Sequence, residues 1–66
     1  MNVSDVEEQV ASIARLTDDH AAAHMAEEFL YEQVLRAIAN GICKDPRGCA
    51  QAALAVAELD FPRLYG

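Results

Sequence analysis

His20 and His24 stand four residues apart, and Glu27 and Glu28 follow His24 at three and four. On a helix, residues three and four apart share a face. Two imidazoles and a carboxylate at that spacing can hold zinc or another divalent cation. These are the chain's only histidines, and no His-Glu-x-x-His is present. A polar face turned to solvent or to a neighbouring subunit explains the same pattern, so no metal is assigned. Cys43 and Cys49 bracket Lys44-Asp45-Pro46-Arg47-Gly48. A bond between them would close a short loop and stabilise by about 2–3 kcal/mol in a chain-entropy model. An intracellular chain keeps its thiols reduced, and the spacing is neither Cys-x-x-Cys nor that of a zinc ribbon. The expectation is a small buried hydrophobe at Cys49 and a loop thiol at Cys43, with a structural disulfide as the alternative.

Other chemistry finds less support. The only serines, Ser4 and Ser12, fall in one expected helix. No spacing sets either beside a base, and neither cysteine is paired with a histidine by sequence. Gly41, Gly48 and Gly66 are too scattered for a phosphate loop. Residues 32–41 and 45–57 have the outline of a helix-turn-helix, but no basic recognition helix follows them. No catalytic residue and no cofactor is assigned, and the expectation is a non-enzyme.

Charge narrows the partners. The net charge is −6. It is concentrated in residues 1–32, where Asp5, Glu7, Glu8, Asp18, Asp19, Glu27, Glu28 and Glu32 face Arg15 alone. Affinity for a phosphate backbone comes largely from Lys and Arg, so direct nucleic-acid binding is not expected. An acidic half suits docking on a basic protein surface. No apolar run reaches the roughly 18–20 residues that span a bilayer. The start, Met1-Asn2-Val3-Ser4-Asp5, lacks a basic segment and an apolar core, so no signal peptide is read. A soluble cytoplasmic protein is expected.

These residues must be positioned by helices. The chain has 66 residues, of which thirteen are alanine, the strongest helix former. It is too short for a Rossmann unit with a partner domain or for a TIM barrel. Ser4-Asp5-Val6-Glu7 fits a capping box and predicts a helix over about 5–16, with Val3, Val6, Val10 and Ile13 as its buried stripe. Thr17-Asp18-Asp19 is a break and a new cap, through Thr17 or Asp18. The second helix then runs to about Ala39, where Asn40-Gly41 supplies the left-handed stop. The 3,4 spacing also continues in phase through Thr17, His20, His24 and Glu27, so a single long helix is the alternative. Asp45-Pro46 opens a third helix to about Ala57, burying Cys49 or Ala50, Ala53, Leu54 and Ala57. The spacing makes Leu30, Tyr31, Val34, Leu35 and Ile38 the main stripe of the second helix. Leu35, Ile38 and Leu54 are the expected contact between helices two and three. The tail should fold back so that Phe61 and Tyr65 plug the bundle. The expected fold is therefore all-α, a small three-helix bundle with a short packed C-terminal tail, in one domain over 1–66.

The run Asp19-His20-Ala21-Ala22-Ala23-His24, the run Val34-Leu35-Arg36-Ala37-Ile38-Ala39-Asn40-Gly41, Asp45-Pro46, and Asp60-Phe61-Pro62-Arg63-Leu64-Tyr65 resemble small uncharacterised proteins of tailed phages and prophages of GC-rich bacteria. The resemblance spans about residues 18–66. It rests on caps and core positions and transfers no activity and no site residue. It implies the cytoplasm of an infected bacterium, where small acidic proteins often bind and inhibit host proteins. The expectation is a non-enzymatic protein-interaction module of phage type that inhibits a host defence or regulatory protein. A small alanine-rich core and a second apolar strip at Met25 and Phe29 add an expected homodimer. Met25, Glu28, Phe29 and Glu32 are its partner-binding residues, and an acidic rim of Glu27, Glu28 and Glu32 meets the partner's Arg15 or Arg36. Two alternatives stay open. One is a small-ligand or metal-binding helical oligomer built around His20, His24, Glu27 and Glu28. The other is an accessory of the virion or of DNA packaging.

Overall fold

The computed structural model describes residues 1–61 of the chain. Among them are three helices and no strand: α1, Val3–Ala14; α2, His20–Ala39; and α3, Pro46–Leu54, continued by a 3-10 turn over Ala55–Glu58. Each helix packs on the other two. The fold is the all-α bundle that composition and caps call for.

Helix α1 begins two residues earlier than its Ser4-Glu7 signal. Asn2 is the cap: its side chain accepts from the Asp5 amide at 2.9 Å, and its own amide donates to Asp5 Oδ2 at 3.0 Å. Asn is as good an N-cap as Ser, so both boxes are locally competent. Backbone contacts favour the earlier one. Lys44 N donates to Met1 O at 2.9 Å and Met1 N to Ile42 O at 3.1 Å, which holds the start of α1 against the α2–α3 connection.

The break between α1 and α2 is real, and the single long helix is excluded. Leu16 N and Asp19 N donate to Ile13 O and Leu16 O in successive turns. The cap is neither Thr17 nor Asp18. The Thr17 hydroxyl bonds back to Ala14 O at 3.4 Å and so belongs to the end of α1. Asp19 accepts from the Ala22 amide at 3.2 Å and starts α2. At the other end Gly41 adopts φ +71. Ile42 N reaches Ala37 O at 3.0 Å and Gly41 N reaches Ile38 O at 3.1 Å, the two bonds of a Schellman stop.

Asp45 caps α3 from a left-handed conformation, φ +69, which Asp tolerates better than most residues. Its carboxylate accepts from Gly48 N at 3.0 Å. A β-carbon at Gly48 would run into that carboxylate and stand 2.9 Å from Val3 Cγ2, so glycine lets the cap close while α1 stays near. The third helix ends at Leu54 rather than Ala57. A 3-10 turn superposes residues three apart. That geometry suits Ala53, Val56 and Leu59, of which the first two are buried and the third is half-buried.

The core consists of Val6, Ile13, Ala23, Leu30, Val34, Cys49, Ala53, Val56 and Phe61. Phe61 plugs the bundle as expected; the expected role of Tyr65 lies outside the described residues. The expected burial of Leu35, Ile38 and Leu54 between α2 and α3 is not found. Leu35 is 66% exposed, Leu54 is 62% exposed and Ile38 is also exposed. Ala57 is exposed as well. Helix α2 instead buries Ala23, Glu27, Leu30, Val34 and Ala37. Its apolar arc over residues 30–38 is wider than the core can cover. The buried line is the one that includes Ala23 and Ala37, whose small side chains occupy little space between packed helices.

Candidate functional site

The two long sides of α2 hold most of what could act. On the inner side, Glu27 is only 4% exposed. A buried carboxylate must be hydrogen-bonded or paired to be tolerated. Here the Tyr31 hydroxyl donates to Glu27 Oε1 at 3.3 Å. His24 lies between two carboxylates: Nδ1 is 3.9 Å from Glu27 Oε2, and Nε2 is 3.4 Å from Glu28 Oε1. The helix itself sets these contacts, since His24, Glu27, Glu28 and Tyr31 are three, four and seven residues along one turn sequence.

This geometry corrects one expectation and weighs against one alternative. Glu27 does not belong to a solvated acidic rim; it is part of the interior, while Glu28 and Glu32 are exposed. Nor do His20, His24, Glu27 and Glu28 form a metal centre. His20, the first residue of α2, is exposed. The two carboxylates address opposite ring nitrogens of His24 and so diverge, whereas a metal needs donors that converge on one point. Among the described residues no group of three or more His, Cys, Asp or Glu is placed to hold a metal ion. The Tyr31–Glu27 bond was not expected from the residue spacing. Its signal was present: Glu27 falls in phase between Ala23 and Leu30, with a donor one turn on either side.

On the outer side, Ala22, Met25, Phe29, Glu32 and Arg36 follow one another in steps of 3, 4, 3 and 4. That is the spacing of a helix-packing stripe. Met25 is 69% exposed and Phe29 60% exposed. The Arg36 guanidinium grips Glu32 Oε1 through Nη2 at 2.6 Å and Nε at 3.0 Å. Both side chains are well exposed, so the pair adds little to stability. It does fix the polar end of the stripe. Between α2 and α3, Tyr31, Val34 and Leu35 of α2 and Ala50, Ala53 and Leu54 of α3 line an open apolar groove of about 360 Å³. The expected partner-binding residues Met25, Glu28, Phe29 and Glu32 are thus all on the surface, with Met25, Phe29 and Glu32 on one stripe.

No helix of the described residues is long and apolar enough to cross a membrane. Comparison with family models, curated proteins and solved structures finds no match for this chain.

Proposed function

We propose that the chain is a non-enzymatic protein-interaction module that pairs with a second copy of itself along α2. The observation that carries this reading is the exposure of Met25 and Phe29 on a stripe with helix-packing spacing. Two large apolar side chains one turn apart, rimmed by charge, mark an interaction site more often than scattered surface apolars do.

A second copy is favoured as the occupant by the stripe's own pattern. In an antiparallel helix pair, first-type and second-type stripe positions oppose each other. Phe29 of one copy then meets the partner's Met25, and Met25 meets the partner's Phe29. A thioether against an aromatic ring is a favourable contact. The same register brings Arg36 to the end of the partner's α2, where Asp18 and Asp19 stand. A parallel pair would align like charges instead. The arrangement is isologous and closes as a two-fold dimer.

The contact is modest. Helix α2 is about 30 Å long, and a single helix face about 10 Å wide gives roughly 300 Å² per copy. Stable complexes bury about 800 Å² per partner, so this contact is in the size class of weak, transient association. The exposed acidic residues of α1, Asp5, Glu7 and Glu8, stay outside the contact and remain available to a basic surface on a third protein. The phage-type setting, with a host defence or regulatory protein as that target, rests on the sequence resemblance of residues 18–66.

Sedimentation equilibrium tests the pairing. The expected result is a monomer–dimer equilibrium at micromolar concentration. A single species of 7.2 kDa at high micromolar concentration overturns it. Phe29→Glu should give a folded monomer, because the pairing would bury a charge without a partner. A variant that stays dimeric places the contact on another face.

A further inference from the structure

The α2–α3 connection and the start of α3 carry one thiol each, and the α2 surface uses neither. Cys43 lies in the connection and is half-buried; Cys49 lies in the first turns of α3 and has no exposed surface. Cys49 belongs to the core cluster, Cys43 packs against that cluster, and the two thiols interact. Two clamps hold them there. The Asp45 carboxylate on Gly48 N ties the start of α3 to the connection. The bonds Lys44 N to Met1 O and Met1 N to Ile42 O tie the connection to the start of α1. The pair therefore sits in a formed frame and needs no loop closure to meet.

The two sulfurs differ in environment. Burial, with the Cys43 thiol and the Asp45 carboxylate adding to it, pushes the Cys49 thiol up to about 11. Cys49 is thus a protonated, enclosed thiol at neutral pH, and Cys43 is the one that solvent reaches.

We propose that Cys43 and Cys49 form an oxidisable dithiol, a site of thiol–disulfide exchange with a small soluble disulfide of the glutathione class. Cys43 loses its proton to solvent, and its thiolate attacks one sulfur of the small disulfide. That S–S bond breaks, and the departing thiolate takes a proton from water. Cys49 then attacks Cys43 Sγ; the bond between Cys43 and the small thiol breaks, and the departing thiolate takes up the Cys49 proton. The two cysteine thiols lose two electrons and two protons; the small disulfide gains both and leaves as two thiols. Exposure sets the order, with Cys43 attacking first and Cys49 resolving. The product bond closes the short ring that contains the Asp45 cap and Pro46. It fastens the α2–α3 connection to α3 without touching Met25 or Phe29. This inference does not depend on dimer formation.

The test is intact-mass analysis of the full chain after incubation with glutathione disulfide and acid quench. The expected main product is lighter than the starting chain by two hydrogens and carries no glutathione. Cys43→Ser should stay unmodified over the same time, since Cys49 is enclosed. Cys49→Ala should accumulate one glutathione on Cys43. A wild-type chain that stops at a stable glutathione adduct overturns the proposal. So does a Cys43→Ser chain that takes up glutathione as fast as wild type reacts. Circular dichroism checks that each variant is folded; if a variant is not, the wild-type product alone decides between ring closure and a persistent adduct.

Discussion

The inner and outer sides of α2 each hold residues of a type usually found on the other. Inside stand two alanines and a carboxylate, together with Leu30 and Val34; outside stand Met25, Phe29 and Leu35. Hydrophobicity alone would have exchanged some of these. The inner side is chosen by fit. Close helix packing favours small side chains at the contact, and Glu27 is tolerated because Tyr31 donates to it and His24 stands beside it. The outer side keeps large apolar groups that the fold does not use.

Four measurements can break or sharpen this contrast. The largest effect should come from Leu30, which is fully enclosed. Leu30→Ala is expected to cost about 2–5 kcal/mol in urea unfolding, while Leu35→Ala on the exposed edge costs less than about 1 kcal/mol. Equal losses at the two sites would erase the distinction between the sides. Glu27→Ala comes next, at about 1–3 kcal/mol, because it strips Tyr31 of an acceptor in the interior. If the variant is more stable than wild type, the buried carboxylate is a liability kept for another purpose. Tyr31→Phe should lose about 0.5–1.5 kcal/mol, the net worth of one hydrogen bond. Smallest for the fold is Phe29→Ala, expected within about 0.5 kcal/mol of wild type in monomer stability. The same variant should weaken the dimer by about tenfold in sedimentation, since it removes one hydrophobic anchor from each copy.

A pH titration extends the contrast to Cys49, which faces the same core. Its thiol is raised from 9.0 to about 11 in the folded chain, so the folded state holds the proton more tightly. The resulting stability is complete below about pH 9 and is lost as pH rises toward about 11. Cys49→Ala should remove this part of the alkaline decline. An unchanged pH profile in that variant would assign the decline to other groups.

Much of the secondary structure was legible because its signals are local. Asn40-Gly41 ends a helix by backbone conformation, Asp45-Pro46 starts one by a side-chain bond and a fixed φ, and Thr17-Asp18-Asp19 separates two helices with bonds that span three residues. Where several residues offered equivalent local chemistry, neighbours in space decided. Asn2 displaced Ser4 as a cap where Met1 bonds to the 42–44 backbone, and Asp19 took the cap that Thr17 and Asp18 could also have supplied. The candidate site was half legible. Met25 and Phe29 stood off the main stripe in sequence and are indeed on the surface, whereas the carboxylate Glu27, grouped with Glu28 and Glu32, turned inward.

From the amino-acid sequence alone it follows that this chain is helical, that Asn40-Gly41 ends one helix and Asp45-Pro46 starts another, and which residues can cap them. Those outcomes follow from dihedral preferences and hydrogen bonds a few residues long. Only the tertiary structure decided the rotation of α2 about its axis, and with it the exposure of Leu35, Ile38 and Leu54, the burial of Glu27, and the meeting of Cys43 with Cys49. A helix with apolar side chains on most of its circumference can present several faces at nearly equal cost. The choice among them is made by the shapes of α1 and α3 packed against it.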